Sequence, residues 1–235
     1  MNKLYKHLGV SIKGGYLSYC LIFEDKLSKV GCVSLKCSSE DHVQKIGSAL
    51  ALLKHDGTQN PDPSSWAVAI QSDLIMPRSY TQSVRLYNMC RLRSIVECHC
   101  NSLFGVKPVF VKERELHQII AKVTKSKISN HEDLLSYAKK KLNNYFGSVN
   151  SNQLSSIAVA WASAISVKRM VEIESLKLDE KIMSTIEQKI KQDKIVKGLV
   201  QSLEQEIDQT TEKEIQGVLK SRINKLVDYY IQQMV

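Results

Sequence analysis

Apolar and polar positions change their spacing twice along the chain, and those changes divide it into elements. Through the first 35 residues the spacing is that of strands. Leu8 and Val10 make a short apolar strand, Lys13-Gly14-Gly15 is a turn, and residues 16–23 return as a strand rich in aromatic and branched side chains. Residues 29–35 supply a third strand, so the chain opens as an antiparallel meander. The period then becomes helical: Val43, Ile46, Leu50 and Leu53 follow a start near Ser38-Ser39, with Asp41 in the first turn. Residues 55–65 hold Asp56-Gly57, Pro61 and Pro63 and read as a loop. The uninterrupted apolar run 66–70 predicts a buried parallel strand ending at Gln71-Ser72-Asp73.

After a loop at 76–80, a long helix is expected over 81–104, with Val84, Tyr87, Leu92, Ile95 and Leu103 as its apolar positions. Residues 106–111 predict a strand that Pro108 confines to an edge or a strand start. A short helix over 113–122 and a basic loop at 122–127 follow. Another helix, with Leu134, Leu135, Ala138 and Leu142, is capped by Ser129 and its reciprocal acid Glu132. Past a polar loop at 148–151, residues 154–164 form a helix of small apolar residues suited to close packing on a sheet. Three strands, then alternating helices and strands, specify an α/β domain with a mixed sheet over 1–168.

From 169 to 235 glycine and proline nearly vanish and only helical spacing remains. Ile182, Ile186 and Ile190 mark one helix, and Val196, Leu199, Leu203 and Ile207 a second. Ile215, Leu219, Ile223, Leu226, Tyr230 and Met234 mark a third, after a break at 209–211 with Glu214 as a cap. Their stripes require burial, either in a small bundle or against a second copy or partner through 182–235, as in a coiled coil.

Charge adds a direction. The formal net charge is +9, but residues 171–235 hold 10 Lys/Arg against 12 Asp/Glu, leaving 23 against 12 in residues 1–170. A basic body with a near-neutral extension points to a polyanion, nucleic acid above all. No run of 18 apolar residues occurs, so neither a transmembrane helix nor a membrane partner is expected. The N-terminus shows no secretory or transit pattern, which gives a cytoplasmic expectation, or the mitochondrial matrix if a presequence has been removed. The six cysteines form no C-x-x-C pair. Cys98-His99-Cys100 has zinc-ligand atom types, but neighbours on a helix point apart, so buried free thiols are the expectation. No phosphate-binding loop, H-E-x-x-H spacing or nucleophile motif is present.

The opening strand and turn at Gly9 resemble the ribonuclease-H-like superfamily. So do the 67–71 strand followed by an Arg-bearing helix, and the Lys125–Leu135 stretch ahead of the small-residue helix at 155–162. Their order resembles its branch of RuvC-type Holliday junction resolvases over residues 8–168. The resemblance implies a ribonuclease-H-like mixed sheet flanked by helices, here with a C-terminal helical extension. It also implies four acids holding two magnesium ions, and their positions fall on Ser11, Gln71, Gln153 and Ser156, none of them acidic. Hard divalent cations need carboxylate oxygens, so a pseudonuclease without catalytic, metal or cofactor residues is expected. Asp73 is the acid nearest to Gln71 in sequence, while Glu24-Asp25 and Glu113/Glu115 are expected to lie away from the site.

The expected nucleic-acid contacts are Arg78, Tyr80, Arg85, Arg91, Lys122, Lys125 and Lys127: cations for phosphates and a ring for stacking. Arg93 lies on a different side of the helix from Arg91. The function implied is a scaffold or accessory subunit holding branched DNA or structured RNA, with a protein on the extension. The alternatives are an active magnesium-dependent junction endonuclease with displaced acids, and a structural subunit of a protein or ribonucleoprotein assembly.

Overall fold

A computed structural model describes residues 5–38, 40–54, 66–71, 79–145, 149–210 and 213–234. The expected loop at 55–65, Asp73 and Arg78 lie outside the described residues. The early alternation forms β1 (Lys6–Lys13), β2 (Tyr16–Phe23) and β3 (Lys26–Ser34). β1 and β2 pair antiparallel from Lys6↔Phe23 to Lys13↔Tyr16. Gly14 and Gly15 turn between them at φ of 62° and 78°, the left-handed pair that suits a two-residue hairpin. β4 (Trp66–Gln71) runs parallel to β1, and β5 (Val109–Val111) parallel to β4. The order β3-β2-β1-β4-β5, flanked by helices, is a mixed α/β sheet of the kind the sequence resemblance implies.

Alternation along β1 and β4 sends their side chains to two layers. Leu8, Val10, Ile12, Trp66, Val68 and Ile70 face α1 (Asp41–Lys54) and α2 (Tyr80–Phe104), and pack with Ile46, Leu50, Leu53, Val96, Cys100 and Phe104. Trp66 stacks on Phe104 at 4.3 Å between ring centroids. The opposite face receives α5 (Ser151–Lys177). A Cβ on Gly9 would stand 2.0 Å from the Ala160 carbonyl oxygen and 2.2 Å from the Ala164 nitrogen. Gly9 therefore lets the helix backbone rest on the strand, and the alanines of α5 keep the approach open. By length and composition α5 could cross a bilayer, but most of its apolar stretch is buried in the protein, as in a core helix.

Several expected positions move. Val84 and Tyr87 are 41% and 69% exposed, and α2 is buried only from Val96 onward. The reason is length: 25 residues of helix span about 37 Å against about 20 Å for a strand like β4, so the first turns of α2 overrun the sheet. Val43 is exposed, and Ala49 joins Ile46, Leu50 and Leu53 in the core. The strand expected at 106–111 is regular only over Val109–Val111, at the sheet edge beyond Pro108. α3 covers Glu113–Thr124. α4 (His131–Leu142) is capped by Asn130, which accepts from the Asp133 backbone; Ser129 instead donates to the Asp133 carboxylate.

The chain divides into two compact units, Met1–Lys168 and Arg169–Val235. The second contains the end of α5 with α6 (Glu180–Gln192), α7 (Lys194–Gln209) and α8 (Lys213–Met234). Its stripes close on one another: Ile173, Ile186 and Ile231 are buried with Leu176, Ile182, Met183, Ile190, Val227 and Tyr230 around them. Asp179 caps α6 and Asp193 caps α7. Asp193 also accepts from the Tyr230 hydroxyl at 3.1 Å, and Lys177 pairs with Asp228 at 2.8 Å.

Two glycines give opposite expectations. Gly9→Ala forces backbone against backbone and should cost about 3 kcal/mol, the top of the usual range for overpacking. Gly198, inside α7, has open space where a Cβ would go, so Gly198→Ala should gain about 0.5–1 kcal/mol. Urea unfolding of the two variants checks both signs.

Candidate functional site

β1, β4 and β5 run in one direction, so their C-terminal ends share one edge of the sheet, where open α/β sheets bind ligands. On the side facing α5, the Ser11 hydroxyl at the end of β1 donates to Gln71 Oε1 at the end of β4, at 2.9 Å and buried. Asn152 of α5 lies beside Gly14, and Ala160 and Ala164 lie beside Gly9. The helix therefore runs antiparallel to β1, and Ser156, midway between them, falls above Ser11. Ser156 is fully buried, and its hydroxyl has no hydrogen-bond partner among the described residues. Gln153 serves the helix start: its amide oxygen accepts from the Asn150 nitrogen, and its own nitrogen donates to Asn150 Oδ1, both at 2.9 Å.

The four positions at which the sequence resemblance would set acids thus hold a buried neutral pair, a capping residue and a lone hydroxyl. They carry no negative charge to offset two magnesium ions, and Gln71 and Gln153 already use side-chain oxygens in hydrogen bonds. The residues do not fit that metal pair.

Beside them stands a charged cluster that sequence spacing did not reveal. Lys13 extends from β1 two residues past Ser11, and its ammonium lies 3.2 Å from both carboxylate oxygens of Glu113. Glu113 opens α3 directly after β5 and meets His131 Nδ1 at 2.5 Å. His117, one helical turn after Glu113, places Nε2 at 3.8 Å from the same carboxylate oxygen. His131 Nε2 reaches the Ser155 hydroxyl on α5 at 2.8 Å. Glu113 was expected away from the site. It lies next to it because β5 is parallel to β4 and delivers α3 to the same sheet edge. The sequence signal was the i, i+4 spacing of Glu113 and His117; nothing in it pointed to His131. Partial burial, then the neighbouring Lys13 charge, holds the imidazole of His131 below its ordinary pKa, against the opposite pull of Glu113.

The expected nucleic-acid residues fall into two groups. Tyr80, 84% exposed, begins α2, and Arg85 is exposed a turn later. Arg91 turns inward to His42 of α1, with 2.8 Å between Nη2 and Nδ1, while Arg93 lies over the Phe110 ring at 4.3 Å. Lys122, Lys125 and Lys127 are exposed at the α3–α4 connection. Lys125 ends α3 in the left-handed conformation, at φ of 50°. Cys98 is exposed and Cys100 is buried, with its thiol pushed up to about 12 by burial; the two point apart, and all six cysteines are unpaired.

No protein-family model matches the sequence, and no curated protein does. The fold is similar to that of RuvC. Thermus thermophilus RuvC shares 14% identity at a TM-score of 0.46, covering 70% of this chain and 95% of that one. The T. thermophilus RuvC structure in complex with a Holliday junction substrate shares 16% identity at a TM-score of 0.49, covering 71% and 96%. At these identities the likeness is one of fold alone.

His131 generates a pH prediction. A histidine held neutral in the folded state contributes fully above the unfolded pKa of about 6.5, and that contribution is lost as pH falls through and below it. The groups facing it are Lys13, Glu113, His117 and Ser155. The stability difference between wild type and His131→Gln should therefore shrink between about pH 7.5 and about pH 5.5, measured by urea unfolding in chelator.

Proposed function

We propose that this chain is a nucleic-acid-binding protein that does not cut its ligand at Ser11 and Gln71, and that branched DNA is the ligand to try first. The observation that carries the reading is the concentration of positive charge in residues 1–170, with part of it displayed on exposed side chains. Arg85, Lys125 and Lys127 are exposed, and Lys127 also lies near enough to Asp133 to help hold its carboxyl below the usual range. Phosphate binding needs such cations and is indifferent to sequence. Tyr80 and Tyr87, on the overrunning turns of α2, offer faces for unpaired bases. Branched DNA comes from the resolvase resemblance of the sequence. The absence of cutting comes from the neutral groups at the positions of the resolvase acids, since phosphodiester hydrolysis of that kind needs carboxylate-held metal. The helical extension is assigned to a protein contact, for which Leu199, Ile215, Val218 and Tyr229 remain exposed.

Binding to labelled four-way-junction, duplex and single-stranded DNA and to structured RNA tests this, read by gel shift and by denaturing gel with and without magnesium. Salt-sensitive binding without cut products is expected. Lys125→Gln/Lys127→Gln should weaken binding to every ligand and reduce the log–log salt slope by about 2. Cut products would establish displaced acids instead, and no binding at physiological salt would move the assignment to a structural protein subunit.

A further inference from the structure

We propose that Glu113, His117 and His131 form a binding site for one divalent first-row transition metal of the zinc class. One ligand atom from each lies within 4.8 Å of the other two. Two imidazoles and a carboxylate are the donor set of open zinc sites, which leave further positions to water or a ligand. Bonds of about 2.0–2.2 Å place neighbouring ligand atoms about 3.3 Å apart. The contacts of 2.5 Å and 3.8 Å to the Glu113 oxygen bracket that spacing, so small side-chain rotations admit the ion.

Three features of the surroundings support the assignment. Among the described residues His117 Nε2 is buried without a hydrogen-bond partner, the Glu113 oxygen at 3.8 Å being too far for one, and a metal would satisfy it. His131 is oriented from behind by the Ser155 hydroxyl, 2.8 Å from Nε2; with Nδ1 on the ion, the Nε2–H would donate to that hydroxyl. The Lys13 ammonium lies 3.2 Å from both Glu113 oxygens and 3.4 Å from His131 Nδ1, close to where the ion would sit. Its side chain is 31% exposed, so it can withdraw to solvent. Lys13 is the internal cation that balances Glu113 when no metal is bound, and it competes with the ion. The site is separate from the magnesium positions of the resolvase resemblance and does not depend on nucleic-acid binding.

Chelator-stripped full-length protein is titrated with Zn2+ by calorimetry and with Co2+ by visible absorption. One equivalent is expected, with a cobalt spectrum of nitrogen and oxygen ligands. His117→Ala and His131→Ala should each abolish that equivalent, and Ser155→Ala should weaken it by about 10-fold or more. Lys13→Ala should bind more tightly than wild type, a gain that misfolding cannot produce; circular dichroism checks the fold of each variant. No bound equivalent in wild type would overturn the proposal. So would a sulfur-to-cobalt charge-transfer band, which would assign the ion to the thiols, or a Lys13→Ala affinity no greater than that of wild type.

Discussion

The missing side chain of Gly9 is the constraint on which the first unit depends. With only hydrogen there, the backbone of α5 at Ala160 and Ala164 lies directly on β1. That contact fixes the height and register of the helix, and the rest follows along the antiparallel pair. One turn earlier, Ser156 is brought over Ser11. Its neighbour Ser155 points outward to His131, and Asn150 and Gln153 close the helix start on one another. The same register ties Asn150 to the Tyr16 hydroxyl at the beginning of β2. The polar end of the sheet is thus positioned by an apolar contact some distance from it, because close-packed backbones transmit position with little slack.

At that end, two kinds of polar chemistry sit side by side. Ser11 and Gln71 are uncharged, buried and mutually satisfied, which is how a protein retains polar groups in a core at small net cost. Lys13, Glu113, His117 and His131 are charged or titratable and only partly buried. Their balance rests on a single carboxylate, which meets one ammonium and two imidazoles. Removing Glu113 would leave cationic or basic groups facing one another without compensation. The side of the sheet edge that carries net chemistry is therefore the β5–α3 side rather than the β1–β4 pair.

Much of the fold was legible because it rests on local periodicity. The glycine turn, the apolar run at 66–70, the edge placement implied by Pro108 and the alanine-rich helix each emerged near their expected residues. What failed did so where length or long-range geometry decides. The spacing of Val84 and Tyr87 is helical, but nothing local reveals that the sheet beneath α2 stops short of them. Glu113 and His117 are a visible i, i+4 pair. His131 lies across a loop and joins them only when β5 and α4 are both placed, so a three-residue cluster drawn from two helices is invisible to spacing. The cap of α4 slipped by one residue because Ser129 and Asn130 are both capping types and only the backbone distinguishes them.

The second unit shows the same limit in another form. Its stripes predicted burial and could not say against what. The bundle buries Ile186, Leu203, Leu219 and Ile231 but leaves Leu199 and Ile215, members of the same expected stripes, 47% and 45% exposed. A unit of this size has too few internal positions to enclose every apolar residue of four helical segments. Capping and polar ties such as Asp193 to Tyr230 and Lys177 to Asp228 add to its small apolar core. The Asp193 that starts α7 also accepts from the Tyr230 hydroxyl near the end of α8, so one carboxylate begins a helix and touches the helix that returns beside it.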